Sequence, residues 1–232
     1  MYRYLIMLCL VIISALPAHA FAQFTGHLEL LPAGCEASGQ CTLKNKLHFK
    51  DASNVEWEAK AGLVTDGASI PGIFQPIIGA PFDPSFIKAA IIHDHYCDRH
   101  VRPWRQTHYV FYEGLIDQGV SMAKAKTMYL AVMLGGPKWT QLIPGIECGQ
   151  NCVNKVNNVT TVAGVPGFLY RKADYSAPDI APAMATLAAL LEADAEAISI
   201  EEIDAYAESL RPGDFYFQHG AEVAINDTAA ID

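Results

Sequence analysis

The sequence has little positive charge, and this scarcity excludes one large class of partners. Lysine and arginine together number 16, against 25 aspartate and glutamate residues, which gives a formal net charge of -9 at pH 7. No stretch gathers enough basic side chains to form the stripe that neutralises a phosphate backbone. We therefore expect no nucleic-acid partner for this chain.

The chain also lacks several enzyme motifs and, beyond its first residues, any long apolar run. It has no glycine-rich phosphate-binding loop, and Ser69 stands outside the Gly-x-Ser-x-Gly setting of a hydrolase nucleophile. No segment after residue 22 is apolar for long enough to cross a bilayer. The remaining pattern, 232 residues that are 51% hydrophobic and 18% charged, is typical of one globular domain with a sizeable core.

The first 22 residues have the pattern of a secretory signal peptide. Arg3 precedes an apolar run at residues 4–16 that is too short to span a bilayer. Pro17 and two overlapping cleavage sites follow, Ala18-His19-Ala20 and Ala20-Phe21-Ala22. We predict that residues 1–22 are removed and that the protein is periplasmic or secreted, with no integral membrane span after cleavage. An uncleaved anchor is the alternative.

Cysteine placement predicts local bridges in the exported chain. Removing the signal takes one of the six cysteines and leaves five. Cys35 and Cys41 flank one short polar loop, and Cys148 and Cys152 flank another. We predict a disulfide within each pair, with cross-links between the pairs left open. Cys97 is then the unpaired thiol, and we expect it to be a small core residue.

Hydropathy patterning predicts an α+β fold. Three segments of the first third alternate apolar and polar residues as half-buried strands do, namely residues 27–31, 47–50 and 55–59. The period then changes to that of helices, and the capping signals predict helices from Asp83-Pro84 to about residue 100, from Pro103 to near Gly119, and from Ser121 to Gly135-Gly136-Pro137. We predict a small N-terminal antiparallel sheet followed by a bundle of three or more helices.

The last 57 residues, 176–232, differ from the rest in charge. They hold 12 acidic residues and one basic residue, Arg211. An Ala- and Leu-rich run at 183–195 and the capping box Ser199-Ile-Glu-Glu202 predict two short helices. We predict an acidic helical appendage with a frayed end, which packs on an α+β domain at 23–175 and keeps it in solution.

The chemistry of the chain is concentrated in its predicted helices. His93 is followed by Asp94 in the first helix, and His93 and Cys97 share one face of it. His108 falls on the apolar stripe of the second helix, so it needs a polar partner inside the protein. An antiparallel helix pair would bring His108 back toward His93 and Asp94. We predict that these three side chains, His93, Asp94 and His108, bind one divalent metal ion.

Three blocks of sequence resemble a known family. The blocks are Val64-Thr65-Asp66-Gly67-Ala68-Ser69-Ile70-Pro71, Ala89-Ala90-Ile91-Ile92-His93-Asp94-His95-Tyr96 and Ala131-Val132-Met133-Leu134-Gly135-Gly136-Pro137. In this order they are similar to the phage- and prophage-associated domain of unknown function 1353 family, over about residues 43–139. The resemblance implies that the Thr-Asp-Gly turn and the His-Asp pair mark the family. It implies no activity, because the family is uncharacterised.

Asp66 is a candidate for a further role at the same site. The segment from Ala89 to Asp94 also has a looser similarity to the HD phosphohydrolases, in which residues from outside the His-Asp helix complete a metal site. Asp66 is the residue that could supply such a ligand here. Its place before Gly67 also fits a simple turn, since Asp caps tight turns and glycine tolerates positive φ. Both interpretations stay open.

Two functions from different classes follow. The first is a metal-dependent hydrolase that acts on a cell-envelope polymer such as peptidoglycan, with Asp66, His93, Asp94 and His108 as catalytic residues around one divalent ion. The second is a non-catalytic accessory or binding domain, in which the same side chains form a hydrogen-bonded clamp between helices. The envelope polymer is inferred from the predicted export and the phage association.

Overall fold

The computed structural model describes residues 21–68, 75–144, 159–162 and 165–225. The first 20 residues of the predicted signal peptide and the predicted Cys148–Cys152 bridge lie outside these ranges, and so do Ser69, Ile70 and Pro71. Within the described ranges the chain is α+β, with small antiparallel sheets at the N-terminus followed by helices, as predicted. No helix in these ranges is both long enough and apolar enough to span a bilayer.

Short strands build the N-terminal part. They are β1 (Gln23–Thr25), β2 (Leu30–Leu31), β3 (Cys41–Leu43), β4 (Leu47–Lys50), β5 (Glu56–Ala59) and β6 (Val64–Thr65). Antiparallel pairing gives two three-stranded sheets, with the orders β1-β4-β5 and β2-β3-β6. The strands predicted at 47–50 and 55–59 are thus confirmed, and their alternate residues Leu47, Phe49, Trp57 and Ala59 are buried. Of the segment 27–31, only the last two residues are strand.

A disulfide joins Cys35 to Cys41, as predicted. The short 3-10 helix Cys35–Ser38 fills the loop between them, and left-handed glycines, Gly34 and Gly39, flank it. Both cysteines are buried, and Cys97 is free and buried, which agrees with the predicted odd thiol. The loop is therefore closed covalently next to β3.

The predicted helices follow the sheets. After the short α1 (Gln75–Ile78) come α2 (Ile87–Arg99), α3 (Trp104–Asp117) and α4 (Met122–Gly135). Helix α2 begins later than Asp83-Pro84 because the Asp83 carboxylate accepts hydrogen bonds from the backbone N–H and the hydroxyl of Ser85, which forms a separate turn. Helices α2 and α3 pack against each other, and α3 packs in turn on α4.

A mixed sheet that no pattern in the sequence predicts follows α4. It consists of β7 (Lys138–Pro144), β8 (Val159–Val162), β9 (Val165–Arg171) and β10 (Glu222–Ile225), in the order β10-β7-β9-β8. Strand β10 pairs with β7 in parallel, and the other neighbours are antiparallel. The sheet therefore joins the strand after α4 to a strand near the end of the described chain.

The acidic C-terminal part is helical, as its sequence predicts. It contains α5 (Ile180–Ala193), α6 (Ile200–Ser209) and α7 (Phe215–His219). The capping box is present, since the Ser199 hydroxyl accepts from the backbone N–H of Glu202 and the Glu202 carboxylate accepts from that of Ser199. Helices α5 and α6 pack on α4, and their apolar residues belong to the same buried cluster as those of α4. The domain boundary near residue 175 stays a prediction, although no break in this core marks it.

Candidate functional site

Two buried histidines meet where α2 packs against α3. His93 lies in the middle of α2 and His108 in the first half of α3, and residues 100–103 connect the helices. His100 ends α2 in the left-handed conformation, and Pro103 precedes α3. The Nε2 atom of His93 lies 2.9 Å from the Nδ1 atom of His108. The predicted return of His108 toward His93 is therefore confirmed.

Asp94 contacts the other nitrogen of the His93 ring. Its Oδ1 atom lies 3.0 Å from His93 Nδ1, and 37% of its side chain remains exposed. An ionised carboxylate here accepts a hydrogen bond and so favours the proton of His93 on Nδ1, which directs the lone pair of Nε2 toward His108. Desolvation raises the pKa of Asp94, the hydrogen bond from His93 lowers it, and the charges of Asp66 and Asp98 raise it further. Asp94 thus orients His93, whereas its predicted role as a direct metal ligand stays a prediction.

Cys97 is a third member of the cluster, although its sequence pattern predicts only a small core residue. Its Sγ atom lies 3.5 Å from His93 Nε2, and ligand atoms of His93, Cys97 and His108 all lie within 4.8 Å of one another. Burial raises the pKa of the Cys97 thiol well above its usual range, and the charges of Asp94 and Asp98 add to this. The signal in the sequence was the spacing of four residues from His93, which places both side chains on one face of α2.

His108 is completely buried and neutral. Burial, the neighbouring His93 and the charge of Lys138 lower the pKa of His108 well below its usual range. A neutral imidazole offers a lone pair to a metal ion. Its Nε2 atom has no hydrogen-bond partner among the described residues. Gly136 leaves room for the ring, since a Cβ atom at this position would lie 2.9 Å from His108 Nε2 and 2.4 Å from the carbonyl oxygen of Val132.

A cavity of about 340 Å³ opens beside the cluster. Asp66 reaches its wall from the turn after β6, where the Thr65 hydroxyl accepts a hydrogen bond from the N–H of Gly67. Gly67 has φ +86°, so the predicted use of glycine in this turn is confirmed. No lysine or arginine in the described part of the chain lines the cavity, whose walls are Asp66, His93, Asp94, Cys97, Asp98, Pro137, Tyr170, Ala173 and Tyr175. The structure therefore brings Asp66 to the same cavity as His93 and Asp94. His108 contacts His93 but does not itself line the cavity.

Within the described ranges, one other group has metal-binding side chains in reach of one another. It consists of Cys35, Glu36 and Cys41. The disulfide between the two cysteines removes both thiolates, so this group offers no metal site. The cluster of His93, Cys97 and His108 is therefore the candidate site.

Comparisons with known proteins give relatives without a known activity. The model of the family described as "Protein of unknown function (DUF1353)" matches residues 41–132, which include Asp66, His93, Asp94 and His108. The uncharacterized protein y4iH of Sinorhizobium fredii is 37% identical over 191 residues, which are 82% of this chain and 78% of that protein. The uncharacterized protein y4jT of the same organism is 35% identical over 153 residues, 60% of this chain and 46% of that protein. No solved structure matches the chain.

Proposed function

The chain belongs to the DUF1353 family, and we propose that it is a metal-dependent hydrolase acting on a cell-envelope polymer such as peptidoglycan. The observation that carries the proposal is the approach of His93 Nε2 and His108 Nδ1 to 2.9 Å beside a cavity lined with carboxylates. One divalent ion bound by these nitrogens is the cofactor we propose.

Hydrogen bonding alone leaves the cluster incompletely satisfied. With the His93 proton held by Asp94, the Nε2 lone pair of His93 accepts one strong hydrogen bond. Two groups approach this lone pair, His108 Nδ1 at 2.9 Å and Cys97 Sγ at 3.5 Å. A cation at this point would interact favourably with all three atoms, and the negative charge of the nearby Asp66 and Asp98 would attract it.

Hydrolysis needs an activated water and a proton carrier, and the cavity offers groups for both. A divalent ion at the histidine pair would polarise the scissile carbonyl and lower the pKa of a bound water. Asp66 is exposed on the cavity wall and is the group we propose to accept the proton of the water. As the new C–O bond forms and the C–N bond of an amide breaks, Asp66 gives this proton to the leaving amine. Asp94 keeps His93 in the tautomer that this arrangement requires.

The charge of the cavity favours amide substrates over phosphate esters. Phosphoryl groups are bound in proteins by arginine, lysine or clusters of backbone N–H groups. The described residues around this cavity include three aspartates and neither lysine nor arginine. We therefore propose the peptide portion of the envelope polymer as the substrate, and the envelope itself follows from the predicted export.

The test compares two neighbouring histidines of α2. Purified protein incubated with zinc should hold one ion per chain and release amino groups from purified peptidoglycan. His93→Ala should lose both properties, with activity lower by at least about 100-fold, because it removes a metal ligand. His95→Ala is the matched control, since His95 is also buried but its Nε2 atom lies near Arg99 instead of the cluster. This variant should keep both the metal and the activity.

The accessory-domain alternative makes the opposite prediction. A wild-type protein that stays free of metal after equilibration with zinc, manganese and nickel would contradict the proposed function. In that case the cluster is a clamp, and His93→Ala should lower the free energy of unfolding by about 1–3 kcal/mol because it leaves a buried partner unpaired. Thermal unfolding of both variants separates this loss of stability from a loss of activity.

A further inference from the structure

We infer that the Cys97 thiolate is the third protein ligand of the ion, so that His93, Cys97 and His108 form a zinc site with one open position. This inference depends on the proposed function for the presence of a metal, and it assigns both the metal and its ligands. It also changes the ligand set predicted from the sequence, since Cys97 takes the place given there to Asp94.

The distances among the three ligand atoms fit a small tetrahedral ion. Bonds of roughly 2.0–2.1 Å to nitrogen and 2.3 Å to sulfur at tetrahedral angles separate two nitrogens by about 3.3 Å, and a nitrogen from a sulfur by about 3.6 Å. The structure has 2.9 Å between the histidine nitrogens and 3.5 Å between His93 Nε2 and Cys97 Sγ. The ligand atoms of the three residues all lie within 4.8 Å of one another. The two distances from His93 Nε2 therefore differ from those of a zinc site by a few tenths of an ångström.

The helical geometry fixes which atoms face the ion. His93 and Cys97 are one helical turn apart on α2, and His108 comes from α3 opposite them. Asp94 meets the His93 ring on Nδ1, the nitrogen that faces away from the cluster. The carboxylate therefore lies outside the coordination sphere, where it orients a ligand as carboxylates commonly do in histidine–zinc sites.

The burial of His108 is a second observation that bears on the inference. His108 is completely buried, and its Nε2 atom has no hydrogen-bond partner among the described residues. Burial of an incompletely paired imidazole is costly, and the backbone of Pro137 offsets only part of this cost. A bond from His108 Nδ1 to zinc would offset more of it, although it would not pair Nε2 itself.

The donor set selects the metal and leaves room for substrate. Two imidazoles and a thiolate suit zinc, whereas magnesium and manganese prefer oxygen ligands. Catalytic zinc sites keep a position open beside three protein ligands, and structural sites are closed by four. His93 and Cys97 both line the cavity that contains Asp66, so the open position faces the group proposed to move protons.

Cobalt substitution of the full chain tests the ligand directly. Co²⁺ bound to a thiolate gives an intense charge-transfer absorption in the near ultraviolet, and we expect this band in the wild-type protein. Cys97→Ser should lose the band and bind zinc at least about 10-fold more weakly. The double variant Cys35→Ser/Cys41→Ser is the control, since these cysteines form a disulfide, and it should keep the band. Asp94→Asn should also keep the band, with zinc bound about 10–100-fold more weakly.

X-ray absorption of the zinc-loaded wild-type protein gives the same answer without any variant. A sulfur neighbour at about 2.3 Å from zinc is expected. A metal-loaded, active protein without that sulfur, or a Cys97→Ser variant that keeps the cobalt band, would overturn the inference and leave the proposed function standing. A wild-type protein that binds neither zinc nor cobalt would overturn both.

Discussion

The helices of the family-like region and the acidic C-terminal helices contribute to one core in different ways. Helices α2 and α3 bury polar groups that contact one another, including His93, Cys97 and His108. The buried residues of α5 and α6 are all apolar, and the acidic side chains of these helices are exposed except Asp204, which accepts a hydrogen bond from the Tyr129 hydroxyl of α4. The difference shows that the break in charge near residue 176 reflects what each segment presents to solvent. It does not mark a break in the packing.

Buried contacts between the two regions support this view. Helix α4 lies between them and packs against α3 on one side and against α5 and α6 on the other. The buried ammonium group of Lys126 in α4 donates hydrogen bonds to the carbonyl oxygens of Ala195 and Ile198, in the loop that joins α5 to α6. The comparison can therefore be tested by changing one region and measuring the other.

Deleting residues 176–232 should have the largest effect. The deletion removes apolar residues that are almost fully buried in the shared core, including Ile180, Met184, Leu187, Leu191 and Ile203. Each contributes about 1.5–3 kcal/mol by burial, and together they rival the whole stability of a typical domain. We expect the chain that ends at Tyr175 to lose its cooperative thermal transition, whereas deleting only residues 226–232 should preserve it. A cooperative transition in the shorter chain would establish 176–232 as a separate appendage.

The second largest effect is expected in the family-like region, where the free energy of unfolding should depend on pH. Glu113 of α3 is buried and accepts a hydrogen bond from the N–H of Ala52, and desolvation, with a smaller contribution from Asp51, raises its pKa to about 7. The folded protein therefore holds the proton of Glu113 more tightly than the unfolded chain does. This contribution to stability is complete below about pH 4.5 and is lost as the pH rises through 7.

Glu113→Gln should remove that part of the pH dependence. In the wild-type protein, the contribution of Glu113 to the free energy of unfolding should fall by up to about 3 kcal/mol between pH 5 and pH 8. Urea unfolding at the two pH values measures this fall, which should be absent from the variant. Glu58→Gln is the control, since the hydrogen bond from Lys46 lowers the pKa of Glu58 and this partly exposed carboxyl stays ionised at both pH values, so the variant should keep the wild-type slope. An unchanged slope in Glu113→Gln would show that Glu113 titrates as an ordinary exposed carboxyl.

The smallest expected effect lies in the acidic region. Ser199→Ala removes the hydroxyl that accepts from Glu202 N–H at 3.2 Å, and so breaks the capping box of α6. The expected loss is about 1 kcal/mol of unfolding free energy, measured in urea. Ser209→Ala at the other end of α6 should cost less, because that hydroxyl only donates to the carbonyl of Tyr206. Metal binding should be the same in both variants, since α6 contributes no residue to the cavity.

Local signals in the sequence predict the helices well and the second sheet poorly. Pro103 and Ser121 stand at the N-cap positions of α3 and α4, so the sequence locates both helix starts, although neither side chain makes a capping hydrogen bond. The mixed sheet depends on β7 pairing in parallel with β10, which lies some 80 residues further along the chain. Pairing over such a separation has no local signature, because it is selected by packing of the whole chain.

The candidate site was also predicted only in part. The spacing of His93 and Asp94 and the apolar stripe around His108 predict the meeting of the two histidines, and the structure confirms it. Which ring nitrogen Asp94 would contact could not be predicted, because that depends on the rotamer of His93. The place of Cys97 in the cluster was missed because an isolated helical cysteine has the same sequence signature as a small apolar residue.

The consecutive order of α2 and α3 has a consequence for inheritance. All three residues of the candidate metal site lie between positions 93 and 108 of the chain, and four residues separate α2 from α3. Groups that lie far apart in a chain cannot be moved together by the exchange of one short segment. Here one exchanged segment that carries residues 87–117 would transfer the complete cluster into another helical protein. The histidines and the cysteine can therefore be gained or lost in evolution as one piece.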